Sequence, residues 1–114
     1  PVAIGPDALK QVILNLVQNA REAVGPTGRI VLRTRTTGLG ALVEVEDDGP
    51  GIALEDLPRL FDAFFTTKEE LRGVGLGLYI AEGVVRGRGG RLVAANRAEG
   101  GARFTIEIPS VEAR

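Results

Sequence analysis

The spacing of the apolar residues changes repeatedly along this chain, and these changes constrain the fold more than any other feature of the sequence. In residues 7–24, apolar side chains recur every three or four positions, which is typical of a helix with one buried face. Residues 29–36 and 41–47 instead alternate apolar and polar side chains, and a glycine-containing turn separates them. The first half of the chain therefore predicts a helix followed by a hairpin of two half-buried strands.

The second half repeats this plan. We expect a short helix at about residues 55–61, an amphipathic helix at 78–85, and strands at about 91–95 and 102–108. The resulting order α-β-β-α-α-β-β predicts an α+β fold, a two-layer α/β sandwich with its helices on one face of a mixed, largely antiparallel sheet. We expect residues 1–114 to be one domain of a longer protein, lacking part of a first strand.

The composition excludes several functional classes. With 44% hydrophobic residues, 25% charged residues and a net charge of -1, the chain is typical of a soluble domain, which we expect to be cytoplasmic. Cysteine and histidine are both absent, so thiolate metal sites, imidazole zinc sites and Ser-His-Asp triads are excluded on this chain. Scattered arginines and only four Phe and one Tyr argue against a nucleic-acid partner.

The charged residues of the predicted hairpin fall into two groups. Arg33 and Arg35 face Glu44 and Glu46 on the predicted solvent side, where we expect a solvated charge set that contributes little stability. Asp47 alternates with these glutamates along the strand, so its side chain is predicted to point to the same face as the apolar residues, toward the core. An inward-facing carboxylate is unusual and points to a specific role.

The sequence DDGPG at residues 47–51 suggests what that role is. An ionised Asp only accepts hydrogen bonds, so Asp47 suits an exocyclic amine such as that of adenine, and the glycines allow the backbone to approach a flat ring. Taken alone, the motif is equally typical of an ordinary Asp-Gly turn.

Two further motifs suit phosphates and a cation. Asn15 and Asn19 lie four positions apart and hence on one helix face, where their amide oxygens can serve Mg²⁺, although such a pair is also typical of a solvated helix. The sequence GVGLG at residues 73–77 directly precedes a predicted helix and offers backbone N–H groups to an anion. It matches neither the P-loop nor the dinucleotide fingerprint, and on its own it is also typical of a flexible loop.

Taken in order, the motifs resemble those of one family. NLVQNA at 15–20, DDGPGI at 47–52, FDAFFTTK at 61–68, GVGLGL at 73–78 and GGARF at 100–104 are similar to the N, first glycine, F, second glycine and last glycine boxes of sensor histidine kinases. The resemblance is to the catalytic ATP-binding domain, which has the Bergerat-type fold shared with type II topoisomerases, a class of heat-shock chaperones and mismatch-repair ATPases. It covers nearly the whole chain.

The resemblance implies roles for individual residues. Asp47 would bind the adenine amine, Asn19 and Asn15 would hold Mg²⁺ and the phosphates, and Lys68 would contact phosphate from a lid at about residues 62–74. The catalytic residues implied are Asn15, Asn19 and Lys68. The nucleotide-binding residues implied are Asn15, Asn19, Asp47, Gly49, Gly51, Ile52, Phe64, Phe65, Thr66, Thr67, Lys68, Gly73, Val74, Gly75, Leu76, Gly77 and Leu78.

Two departures from the family pattern bear on affinity. Glu22 stands where a Lys is common, and Val74 stands where a Thr is common, so a cation and a hydroxyl near the phosphates are lost. We expect both departures to weaken ATP binding.

Asn15 also bears on the reaction. Hydrolysing members of the superfamily have a Glu at this position as general base, and an amide cannot take a proton from water. The chain therefore favours phosphoryl transfer to a histidine over hydrolysis. Since it contains no histidine, the acceptor would lie on a separate helical dimerisation domain, with a response regulator as indirect partner. An ATP hydrolase and a nucleotide-binding regulatory module remain as alternatives, and we expect the isolated chain to be monomeric.

Overall fold

The computed structural model describes residues 6–38, 40–62 and 76–110, without the side chains of residues 6 and 76. Within these ranges, no helix is both long enough and apolar enough to cross a lipid bilayer. The elements in chain order are helix α1 (Pro6–Val24), strands β1 (Ile30–Thr37) and β2 (Gly40–Asp47), a 3₁₀ turn (Leu57–Arg59), helix α2 (Leu76–Gly87), and strands β3 (Arg91–Asn96) and β4 (Ala102–Pro109).

The four described strands form one sheet in the order β1-β2-β4-β3, and every neighbouring pair is antiparallel. Val45 in the middle of β2 lies opposite Leu32 of β1 and Phe104 of β4, so these three side chains share one face. The sequence predicted a mixed, largely antiparallel sheet, and the described strands contain only the antiparallel part. The α+β sandwich is confirmed.

The core lies between this sheet and the two helices. Its buried residues come from both helices, from the three strands β2, β3 and β4, and from the end of the 3₁₀ turn: Val12, Leu16, Ala20, Val43, Val45, Leu60, Ala81, Val85, Leu92, Ala102, Phe104, Ile106 and Ile108. Phe61 packs edge-on against Phe104, with ring centroids 6.3 Å apart. The segment after β2 is therefore attached to the core at one end of the sheet.

Two local expectations differ from the structure. The short helix expected at 55–61 is a series of tight turns, because the N–H groups of Asp56, Arg59 and Asp62 each bond the carbonyl three residues back. The first strand was expected to be half-buried, yet Leu32 is 49% exposed although it lies on the helix side of the sheet. The helices pack mainly against β2 and β3, so the edge strand β1 is left largely uncovered.

Two leucines of α1 test this packing. Leu16 is fully buried, so Leu16→Ala should lower the free energy of unfolding by about 2–5 kcal/mol through lost burial and a residual cavity. Leu14 is 46% exposed on the same helix, and Leu14→Ala should change it by no more than about 0.5 kcal/mol. Urea denaturation of both variants measures the difference, and equal effects would contradict the assigned helix face.

Candidate functional site

A cavity of about 240 Å³ opens between the helix layer and the end of the sheet at which β2 finishes. Its walls are mostly apolar and carry a few polar groups, the composition typical of a small-molecule site. The lining residues are Asn19, Ala23, Asp47, Gly51, Ile52, Ala53, Asp56, Leu60, Leu78, Ala102 and Phe104. Five of the residues predicted for a nucleotide site, drawn from three separate motifs, therefore lie around one cavity.

The carboxylate of Asp47 lies in the wall of this cavity and is held by two backbone N–H groups. The residue is 3% exposed, and its Oδ1 accepts hydrogen bonds from the backbone N–H of Gly49 at 2.9 Å and of Ala102 at 3.3 Å. Both bonds that the described residues make to this carboxylate use Oδ1, so Oδ2 retains its capacity to accept a bond from a ligand. The prediction of an inward-facing carboxylate is confirmed.

Gly101 allows β4 to begin directly beside Asp47. It has a φ of +86°, and a Cβ at this position would overlap the main-chain carbonyl oxygen of Asp47. Any side chain here would push β4 away and lengthen the bond from the N–H of Ala102 to the carboxylate.

Gly49 contacts Asp47 directly. It was predicted as a contact to the ligand, and it lies next to the cavity without being one of its lining residues. Its N–H holds Asp47, and a Cβ on Gly49 would lie 3.1 Å from Oδ1 of that residue. Gly49 therefore holds the carboxylate of Asp47 in place through its backbone N–H.

The rim of the cavity is held by a residue that sequence reasoning missed. Asn96, at the end of β3, accepts from the N–H of Ile52 at 2.7 Å and donates to its carbonyl at 2.8 Å. Gly51 next to it has a φ of +84° and passes close to the Asn96 side chain. No local pattern marks Asn96, since its partner is 44 positions away.

A smaller polar cavity of about 50 Å³ adjoins the first and shares Asn19 and Leu78 with it. Its other lining residues are Asn15, Gln18, Glu22 and Gly77. The described residues contain no group of three or more Asp, Glu, His or Cys placed to hold a metal ion. The amide and carboxylate oxygens here nevertheless suit Mg²⁺, which keeps most of its ligands as water and phosphate.

Asn15 joins the two helices. Its Nδ2 donates to the carbonyl of Gly77 at 3.3 Å, and its Oδ1 accepts from Gln11 at 3.2 Å. Gly77 was predicted to belong to a phosphate-facing loop, and it instead lies in the first turn of α2. The amide at position 15 thus fixes where α2 begins relative to α1.

Part of the predicted site falls outside the described residues. This applies to the lid at about 62–74, apart from its first residue, and to Phe64, Phe65, Thr66, Thr67, Lys68, Gly73, Val74 and Gly75. Of Leu76, only the backbone at the start of α2 is described.

Glu46 on the opposite face of the sheet corrects one prediction. It was expected to belong to a solvated charge set, yet it is 5% exposed. Arg103 donates to its Oε2 at 2.7 Å, and Arg33 donates to its Oε1. These two guanidinium groups lower the pKa of the Glu46 carboxyl. The sequence correctly predicted that Glu46 lies on the outer face of the sheet, but Arg33 and Arg103 cover its side chain.

Residues 4–112 match the family model described as histidine kinase-, DNA gyrase B-, and HSP90-like ATPase. Among curated proteins, sensor histidine kinase ZraS of Escherichia coli O157:H7 is 42% identical over 104 residues, which are 91% of this chain and 22% of ZraS. The chain thus spans about a fifth of the length of this relative.

Solved structures show the same similarity. A nucleotide-free form of the catalytic domain of histidine kinase ThkA superposes with a TM-score of 0.83 and 38% identity, covering 94% of this chain and 70% of that one. ThkA in complex with response regulator protein TrrA superposes with a TM-score of 0.77 and 37% identity, covering 93% of this chain and 30% of that one.

The buried Glu46 predicts a specific acid sensitivity. Glu46→Gln should lower the free energy of unfolding at pH 7 by about 1–3 kcal/mol, a value limited by solvent screening of its partly exposed arginines. Because the folded-state pKa of Glu46 lies below its ordinary value of 4.5, its stabilisation is complete above that pH and is lost as the pH falls through the folded pKa. The two proteins should therefore converge in stability below about pH 4.5.

Chemical denaturation at pH 7 and at several acidic pH values measures this convergence. Glu107→Gln is the matched control, since Glu107 is 42% exposed and lies 3.7 Å from Arg91 on the same face of the sheet. Glu107→Gln should change the free energy of unfolding by no more than about 0.5 kcal/mol, both at pH 7 and at the acidic pH values. A Glu46→Gln difference that stays constant with pH would contradict the assigned charge state.

Proposed function

Because the chain belongs to the family of histidine kinase-, DNA gyrase B- and HSP90-like ATPases, and within it to the catalytic domains of sensor histidine kinases, we propose that the cavity beside Asp47 binds the adenine ring of ATP. The observation that carries this proposal is the carboxylate of Asp47, which is buried in the cavity wall and which the described residues hold through Oδ1. An acceptor with a fixed direction in an apolar cavity suits the exocyclic amine of adenine.

The remaining walls support a flat ring. Ile52, Leu78 and Phe104 are apolar lining residues, and Ala102 beside Asp47 is small. Burying a heteroaromatic ring against such side chains is favourable, whereas the carboxylate supplies the directional contact. Affinity and base selection thus come from different residues.

The phosphates would extend into the polar cavity. Asn19 lines both cavities and therefore lies where the base site meets the phosphate site. When bound there, Mg²⁺ supplies charge neutralisation for the phosphates, with Asn19 as an oxygen ligand and Asn15 as a second. Glu22 also lines this cavity, and its negative charge is expected to weaken phosphate binding in the absence of the cation. Lys68 and residues 62–74 are proposed to close over the phosphates.

We extend the proposal to the longer protein from which a chain of this family would come. A neutral imidazole on a dimerisation domain would attack the γ-phosphorus, forming an N–P bond while the bond to the leaving ADP oxygen breaks. An imidazole is already nucleophilic when neutral, so no general base is needed at position 15, where this chain has an amide. As ThkA forms a complex with a response regulator, a protein of that class is the proposed next acceptor.

Asp47→Asn tests the adenine site. Since Oδ1 must still accept the two backbone N–H bonds, the new NH₂ group would point at the ligand amine, donor against donor. We expect the affinity for Mg-ATP to fall by at least about tenfold, as measured by isothermal titration calorimetry.

Asp48→Asn is the matched control. Asp48 is exposed, and its Oδ1 accepts from the N–H of Arg29 at 2.8 Å, a bond that an amide oxygen can also accept. It should bind Mg-ATP within about twofold of the parent chain. Full ATP affinity in Asp47→Asn would show that Asp47 is not the adenine acceptor.

The transfer reaction is tested separately. The chain, mixed with or joined to the dimerisation domain of its parent protein, should give acid-labile phosphohistidine on that domain from γ-labelled ATP. The chain alone contains no histidine and should not form it. ATP turnover without phosphohistidine would favour a hydrolase, and ATP binding without turnover or transfer would favour a regulatory module.

A further inference from the structure

Arg97 contacts the candidate adenine acceptor from outside the cavity. It follows β3 directly and does not line the cavity, yet its Nη1 donates to the main-chain carbonyl of Asp47 at 3.1 Å. The two residues are 50 positions apart. Asp47 is therefore held at two points, through its side chain on the cavity side and through its peptide group on the other.

The backbone of Arg97 is itself fixed. Its N–H donates to the carbonyl of Gly101 at 2.9 Å, and its carbonyl accepts from Gly100 at 3.1 Å. These bonds close the turn that joins β3 to β4. Since Gly101 also packs against the carbonyl of Asp47, the turn and its arginine enclose that carbonyl from two directions.

The guanidinium of Arg97 is oriented by carboxylates. Its Nε lies 3.9 Å from Oε1 of Glu46 and 3.8 Å from Oε1 of Glu99. This Nε is buried and has no hydrogen-bond acceptor among the described residues, so charge attraction rather than a hydrogen bond acts on it. The Arg97 side chain is only 20% exposed, and solvent screens this attraction less than it would on an open surface.

This arrangement connects the two faces of the sheet. Glu46 and Asp47 are consecutive residues of β2, so their side chains point to opposite faces. Arg97 bridges them, with its Nε near the carboxylate of one and its Nη1 on the carbonyl of the other. The carbonyl of Asp47 belongs to the peptide that leads into the turn whose Gly49 N–H holds the carboxylate, so a shift of this peptide would break the Nη1 bond and also displace that donor.

We propose that Arg97 is a positioning residue for base selection, which acts through the main chain of Asp47 and fixes the direction in which its carboxylate accepts a hydrogen bond from a purine amine. The proposal rests on the proposed adenine site. It assigns to Arg97 a part in choosing a 6-amino purine over a 6-oxo purine, without direct contact to either.

Arg97→Gln tests this role with two nucleotides. ATP and inosine triphosphate have the same ribose and phosphates. The inosine nucleotide has a carbonyl oxygen in place of the 6-amine and carries a proton on N1. The parent chain should bind Mg-ATP more tightly than the inosine nucleotide, because a carboxylate placed to accept from the 6-amine would instead face the 6-carbonyl oxygen, acceptor against acceptor. In Arg97→Gln, the ATP affinity should fall about fivefold to tenfold with less than about a twofold change for inosine triphosphate, measured by calorimetry.

Two further variants support the comparison. Arg91→Gln removes an arginine from the far end of β3, where it is 70% exposed and 3.7 Å from Glu107, and it should leave both affinities unchanged. If Arg97→Gln does not fold, Arg97→Met takes its place, since it fills the same space without adding a polar group. Glu46 would keep its bonds to Arg33 and Arg103 in that variant.

The outcomes separate the proposals. A loss of ATP preference in the Arg97 variant supports the positioning role, whereas equal weakening of both nucleotides shows a general structural role and overturns it. An unchanged preference overturns it as well. If the parent chain binds both nucleotides equally, the adenine assignment of Asp47 fails and the inference fails with it. If the parent chain binds neither, the proposed function itself is wrong.

Discussion

The end of the sheet beside the cavity is built around one buried acidic side chain. Burying Asp47 to 3% exposure is costly unless hydrogen bonds replace the water it has lost, and two backbone N–H groups from different segments supply them. These bonds require a tight turn after β2 and a β4 that begins close beside it, which in turn requires glycine at position 101. The local shape of the cavity and the position of its proposed adenine acceptor are therefore products of the same constraint.

The periodicity of apolar residues predicted the two long helices, the four strands and the opposite facing of Glu46 and Asp47, because parity along a strand is a local property. Burial was predicted less well, because it depends on what covers each face. Leu32 has the inward parity but lies on an edge strand that the helices do not cover. Glu46 has the outward parity, but Arg103 from β4, 57 positions away, covers it together with Arg33. A local sequence pattern predicts neither the exposure of Leu32 nor the burial of Glu46.

In the candidate site, too, local motifs identified some residues and missed those whose role depends on distant partners. Asp47, Asn19, Gly51, Ile52 and Leu78 were identified from motifs, and the structure places them around one cavity. The residues that hold those groups in place were missed, as Asn96 and Arg97 act on partners 44 and 50 positions away and belong to no recognisable motif. Gly49 stays a prediction as a ligand contact, since a motif marks a position without saying whether it faces the ligand or, as its bond to Asp47 shows, also supports a neighbour.

The contact made by Asn15 bears on the choice between transfer and hydrolysis. Its NH₂ group donates to the carbonyl of Gly77, and an ionised glutamate in the same place would present only acceptor oxygens to that carbonyl. The amide is therefore favoured by the packing of α1 against α2, independently of any nucleotide. The same amide lacks the basicity needed to activate water. With Asn at this position the smaller cavity has no carboxylate there to act as a general base, which supports the proposal of phosphoryl transfer over that of hydrolysis.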